Sequence, residues 1–165
     1  MSEIEGIKEL LKLVDVDINT GVITWKVTRG CRSAGSIAGS FSKSTGYNVI
    51  VFDRRQYLVH RVVFYAATGK LPKCVDHKKG KEYGDGIENL RESTQAQNAR
   101  NRKAHKWSAT GQKGVTPHGN KYRAQICVDG KVKYLGLFDT VEEAARVRDE
   151  ASLAYHGEFA KLNNG

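Results

Sequence analysis

Ile4, Ile7, Leu10, Leu11 and Val14 recur at the steps of an amphipathic helix, which predicts a short helix over residues 3–14. The next stretch, INTGVITWKV, reads as a turn at Asn19-Thr20-Gly21 leading into a strand. The Gly/Ser-rich run GCRSAGSIAGSFSKSTG holds too many small residues for a helix and predicts turns between strands. YNVIVFD and RQYLVH predict a hairpin around Asp53-Arg54-Arg55. HRVVFYAATGK regains helical spacing at Val63, Ala66 and Ala67, and Gly69 and Pro72 bring it to an end.

The middle of the chain predicts strand, loop, strand, helix. CVDH is a short strand, KKGKEYGDG a glycine-rich return, and IENLR a second strand. Thr94 then opens a helix with Gln97 in capping-box position, running through Asn98, Arg102 and His105 to about Lys106. Farther on, residues 113–138 predict three strands, with an Asp129-Gly130 hairpin turn that suits positive φ angles. Alternation places Tyr122, Ala124, Ile126 and Val128 on one side and Arg123, Gln125 and Cys127 on the other. In the following strand Val132 and Tyr134 are expected to pack while Lys131 and Lys133 project. A last helix is expected to start at Thr140, with Glu143 completing a capping box and a small stripe of Ala144, Val147, Ala151 and Ala154 lying on the sheet. The fold class this implies is α+β.

Charge changes the picture more than composition does. The 165 residues carry 27 Lys and Arg against 18 Asp and Glu, a net charge of +9. Between Ser93 and Val128 there is no acidic residue, while Arg100, Arg102, Lys103, Lys106, Lys113, Lys121 and Arg123 fall in that span. Segregated positive charge forms a face, and such a face suits the phosphates of a duplex. A membrane fits less well: no run of 18 apolar residues exists and the N-terminus has no signal-peptide core, so a cytoplasmic, non-secreted protein is expected. Cys31, Cys74 and Cys127 are far apart with no CxxC arrangement. They are read as small buried hydrophobes in a reducing compartment.

Within the basic setting lie Asp76-His77, Asn89 and Asn98. A carboxylate and a carboxamide are hard oxygen donors of the kind that hold Mg²⁺ or Mn²⁺ beside a phosphodiester. On a regular strand His77 faces away from Asp76, which suits a division of labour with the imidazole as general base toward the attacking water. Asn89, across the hairpin, is placed to fix the tautomer of that ring. These positions, with YLVHR and GKLP ahead and IENLRESTQAQNARNR behind, resemble the HNH homing endonucleases with a ββα-metal core, over about residues 15–103. The resemblance implies Asp76 and Asn98 as metal ligands, His77 and Asn89 as catalytic residues, and products with a 3′-hydroxyl and a 5′-phosphate. His60 occupies a family-like position and is read as support for the core or the site. Two departures stand out: Gly84-Asp85-Gly86 replaces the Asp-Asn-Arg run of many relatives, and the zinc-binding cysteines of some HNH proteins are missing.

The stretches KGVT, KYRAQI, YLGLFDTVEEAARVRDEAS and HGEFAKLN resemble the DNA-binding domain of plant ethylene-response factors, over about 113–163. Tyr122 stands where many of those have Trp, and Thr116 where plant members often have Arg, so base preference does not carry over. The resemblance implies a sheet that presents Arg123, Gln125, Lys131 and Lys133 to duplex DNA. The expected organisation is a nuclease module over 1–98, a basic helix end and linker over 99–112 carrying Arg100, Arg102, Lys103 and Lys106, and a DNA-binding domain over 113–165. A monomer acting on double-stranded DNA with Mg²⁺ is expected. The rival readings are a catalytically inactive DNA-binding regulator and an RNA-binding structural protein.

Overall fold

The computed structural model describes residues 2–100 and 108–163, and the side chains of residues 99 and 100 are not described. The chain divides into two compact units, Met1–Thr94 and Gln95–Gly165.

The first unit begins with α1 (Glu3–Leu11), whose N-terminus is closed by a capping box between Ser2 and Glu5. Ile7 and Leu10 are fully buried beneath it. The helix stops short of Val14 because Val14–Val16 forms β1, paired antiparallel with β2 (Ile23–Trp25), so Val14 lies opposite Trp25. Three residues are too few to show an alternating pattern, so this strand was not readable from the sequence. β3 (Ser40–Ser42), β4 (Tyr47–Phe52) and β5 (Arg55–Leu58) form a meander in that order. Asp53 and Arg54 turn the hairpin with φ of 47° and 59°, the two left-handed residues of a type I′ turn. α2 (Val59–Thr68) follows without a loop and ends at Gly69, whose φ of 69° closes the helix in the left-handed region. Its Val59, Val62 and Val63 join Ile7, Leu10, Ile23, Trp25 and Ile50 in one core. β6 (Cys74–His77) and β7 (Leu90–Ser93) form a separate antiparallel pair, and Val75 and Leu90 fix it to that core.

The second unit opens with α3 (Gln95–Arg100). Its sheet has the order β10-β9-β8, from β8 (Val115–His118), β9 (Lys121–Val128) and β10 (Lys131–Phe138), all antiparallel. Asp129 and Gly130 make the expected hairpin turn with φ of 51° and 77°. α4 (Val141–His156) is capped by Thr140, whose hydroxyl accepts the Glu143 N–H at 3.2 Å. Ala124, Val115, Ala144 and Ala145 form the core between sheet and helix.

Four expectations are corrected here. The cysteines are not buried: Cys31 and Cys127 are exposed and Cys74 is half-buried, because Cys31 sits in a Gly/Ser loop and Cys127 on an uncovered sheet face. Val132 and Tyr134 do not pack but stand 66% and 61% exposed. Register gives the reason: Val132 pairs with Cys127 and Tyr134 with Gln125, so both lie on the open face beside Arg123. Lys131 and Lys133 pair with Val128 and Ile126, which assigns them to the α4 side, and the Lys133 ammonium sits over the Tyr155 ring of α4 at 4.3 Å. They therefore do not share a face with Arg123 and Gln125. Finally, α4 buries Ala144 and Ala145 together with Arg148, Asp149, Ser152 and His156, while Ala154 is exposed.

Two of these buried polar residues, Arg148 and Asp149, are held by hydrogen bonds. Arg148 donates through Nη1 to Asp149 Oδ1 at 3.1 Å and to the Lys161 carbonyl. Asp149 accepts the Asn163 N–H at 2.7 Å, and the Asn163 carboxamide bonds both the N–H and the carbonyl of Lys113. This clasp fastens the C-terminal segment to the entry of the sheet.

Gly6 sits where α1 meets Tyr57, and a Cβ there would run into the buried Tyr57 hydroxyl. Alanine normally stabilises a helix by about 1 kcal/mol over glycine. Here Gly6→Ala is expected to destabilise the protein instead, by about 1–3 kcal/mol through overpacking. Among the described residues the Tyr57 hydroxyl has no hydrogen-bond partner, so Tyr57→Phe in the same chain should restore most of the loss in a thermal melt.

Candidate active site

The β6–β7 hairpin carries the candidate site residues, and its register decides which side chains share a face. Asp76 lies opposite Arg91 and His77 opposite Leu90. Directly opposed residues project to the same side, so Asp76 and Arg91 share one face and His77 takes the other, as alternation requires. The Asp76 carboxylate is buried and accepts from Arg91 Nε at 3.1 Å and Nη2 at 3.0 Å, both on Oδ2.

On the opposite face His77 is buried with its Nε2 at 2.9 Å from Asp85 Oδ1. The second oxygen of Asp85 accepts the Asn48 carboxamide at 3.0 Å. Burial alone would raise the Asp85 carboxyl. The hydrogen bonds from His77 and Asn48 are the main causes that outweigh it and hold its pKa below the ordinary range. An ionised carboxylate only accepts, so Nε2 of His77 must carry the proton, and a neutral ring then has its lone pair on Nδ1.

Asp85 lies in a loop that would be mobile without support, and Asn89 supplies it. The Asn89 side chain accepts the Lys79 N–H at 2.9 Å and donates to the carbonyls of Gly80 and Gly84 at 2.9 and 2.8 Å. Both its N–H groups are thereby used on the loop. Asn89 therefore acts on the ring through the loop's shape, and the carboxylate bonded to His77 Nε2 is that of Asp85. The far side of the loop rests on the Asn19-Thr20-Gly21 turn: Ile87 N–H bonds the Ile18 carbonyl at 2.8 Å. A Cβ at Gly21 would strike the Asp85 backbone, and one at Gly86 the Asn19 carbonyl, which is why both positions are glycine.

His60, the second residue of α2, completes the cluster. Its ring meets that of His77 edge-on with centroids 4.9 Å apart, and Tyr47 lies against both rings. Burial first, then the charge of His77, pushes the His60 pKa down to about 4, so its ring is neutral at cellular pH. One ligand atom each from His60, His77 and Asp85 fall within 4.8 Å of one another. A cavity of about 240 Å³ opens beside Asp85, lined by Phe41, Tyr47, Asn48 and Lys81 among others.

Among the residues expected from sequence, the structure brings His77 and His60 into contact, ties Asn89 to the loop beside them, and turns Asp76 to the opposite face of the hairpin. Asn98 stands on α3 in the second unit, half-buried. Arg102, Lys103 and Lys106 lie outside the described residues, as does the side chain of Arg100. Asp85 and Asn48 were missed. For Asp85 one signal was available: an acid next to two glycines inside a lysine-rich loop. For Asn48, on a strand remote in sequence, there was none.

Replacing Asn89 with alanine should release the 78–84 loop. Amide exchange within those residues is expected to rise at least about tenfold, and stability to fall by about 1–3 kcal/mol as the two carbonyls lose their buried donors. Unchanged exchange in the loop would remove Asn89 from this role.

An HNH endonuclease family profile matches residues 57–100, which runs from β5 through the β6–β7 hairpin into α3. The chain is also 31% identical over 110 residues to Protein 3.8 of Escherichia phage T7, a match covering 62% of this chain and 88% of that protein. The chain belongs to the family of Protein 3.8 of phage T7, and the hairpin that holds His77 and Asp85 lies within its HNH endonuclease domain.

Proposed function

We propose that this protein is a metal-dependent DNA endonuclease of the HNH homing type that hydrolyses phosphodiester bonds in duplex DNA. The observation that carries this reading is the buried His77–Asp85 pair, held by an Asn89-clamped loop inside the HNH-matched span. With Nε2–H directed at a carboxylate, the Nδ1 lone pair is the proton acceptor for an attacking water. As His77 takes that proton it becomes an imidazolium, and its charge arises against the Asp85 anion, which stabilises it. Asp85 is thus a positioning residue and His77 the general base. Asp76 and Asn98, a carboxylate and a carboxamide, are donors of the type a hard cation takes, and the Arg91 ion pair fixes the direction of the Asp76 carboxylate. Mg²⁺ or Mn²⁺ held by donors of this type would neutralise charge that gathers on the phosphoryl oxygens.

The organisation we propose is a nuclease module followed by a basic connection and a DNA-binding domain of ethylene-response-factor type. The open face of the β8–β10 sheet would meet DNA with Arg123, Gln125 and Tyr134, where Arg and Gln reach base edges. Lys131 and Lys133 would contribute only from the sheet's margin. Two tethered footprints raise effective concentration at one site without new contacts. Cleavage would be nicking or double-strand cutting, and one nuclease site per chain suits nicking by a monomer. Among the described residues no helix is long and apolar enough to cross a membrane.

A plasmid nicking assay tests the reading. In Mg²⁺ the protein should convert supercoiled to open-circular DNA, and EDTA should abolish this. His77→Ala should lower the rate by at least about 100-fold while duplex binding persists. Binding with no metal-dependent cutting would leave the inactive-regulator reading in its place. Combined Arg123→Ala and Tyr134→Ala should instead weaken duplex binding and leave the rate at saturating DNA within about threefold.

A further inference from the structure

The first unit contains a three-residue cluster that the nuclease reading uses only in part. His77 and Asp85 serve as base and positioning group, but His60 takes no step in that chemistry. It is 5% exposed, and its Nδ1 is buried with no hydrogen-bond partner among the described residues. A buried nitrogen without a partner is costly to keep, so its retention beside a buried imidazole and a carboxylate points to a ligand. The three ligand atoms within 4.8 Å are close to what a cation needs, since bonds of about 2.1 Å put neighbouring donors roughly 3.4 Å apart. The His77–Asp85 separation of 2.9 Å already lies inside that range, and small ring rotations would bring in His60.

We propose that His60, His77 and Asp85 form a three-ligand site for a borderline transition-metal cation such as Zn²⁺ or Co²⁺, and that its occupancy takes His77 out of catalysis. Two imidazoles and one carboxylate favour such ions over Mg²⁺, which prefers all-oxygen surroundings. Asn48 holds the second oxygen of Asp85 and orients the carboxylate from behind, as outer partners of metal ligands do. The consequence for His77 follows from proton bookkeeping. A cation between His77 and Asp85 takes the Nε2 lone pair, so the ring proton moves from Nε2 to Nδ1 with no net gain or loss. Nδ1 then carries a hydrogen and accepts none from water. The inhibitory half of this proposal rests on His77 being the base. The binding half does not.

Co²⁺ added to the full-length protein in the absence of Mg²⁺ should give visible d–d absorption saturating at one ion per chain. In wild-type NMR spectra, the ring resonances of His60 and His77 should be broadened or shifted most among the five histidines. His60→Gln and Asp85→Asn should each weaken Co²⁺ binding at least about tenfold, while Asp76→Asn binds as wild type. Absence of the absorption band, or a band that Asp76→Asn removes and His60→Gln spares, would overturn the site. In Mg²⁺-supported nicking, Zn²⁺ should inhibit with the occupancy seen in the Co²⁺ titration. A protein that never nicks DNA in Mg²⁺ would sink the nuclease reading alone, because the Co²⁺ band and the histidine shifts would still decide the metal site.

Discussion

The arrangement at the candidate active site depends on one carboxamide. Asn89 bonds three backbone groups of the loop that leaves β6, and that loop carries Asp85. Without this clamp the carboxylate would have no fixed place beside His77, and the tautomer of the ring would not be set. The clamp is rigid because Asn89 sits directly before β7, whose Leu90 belongs to the main hydrophobic core. Core packing, loop shape and ring chemistry are therefore linked through one side chain.

Support also comes from the other direction. The Asn19-Thr20-Gly21 turn lies so close under the Asp85-Gly86 backbone that only glycine fits at Gly21 and Gly86. Asp17 holds that turn by accepting from Asn19, Thr20 and the Thr20 hydroxyl. The N-terminal strands thus form the floor of the site, which gives a physical reason for an HNH hairpin to be preceded by them.

The second unit solves a different problem, that of keeping one sheet face dry and the other open. The register of β9 and β10 sends Ala124 and Ile126 under α4 and leaves Val132 and Tyr134 exposed on the other face, with Arg123 and Gln125 half-buried beside them. A bulge between Tyr134 and Gly136 resets the alternation, so that Leu137 comes to lie opposite Arg123. The polar clasp of Arg148, Asp149 and Asn163 then closes the helix onto the sheet entry through paired polar groups where an apolar stripe would otherwise do the work.

Local pattern was enough to place most elements. The capping residues Ser2 and Thr140, the Asp-Gly turn, the CVDH strand and the strand–loop–strand–helix order are each decided by residues near one another, so they can be read along the chain. The same holds for His77 facing away from Asp76, since alternation along a strand is a local property. What lay beyond reach were the partnerships across the fold: Asn48 on Asp85, Arg91 on Asp76, Asn163 on Lys113, and the face taken by Lys133. Each depends on register or on contact between distant segments, and burial of a polar side chain becomes tolerable only when such a partner arrives. Sequence determined which candidate groups this protein carries; the tertiary structure decided which of them touch, because hydrogen bonds between remote segments leave no periodic trace in either one.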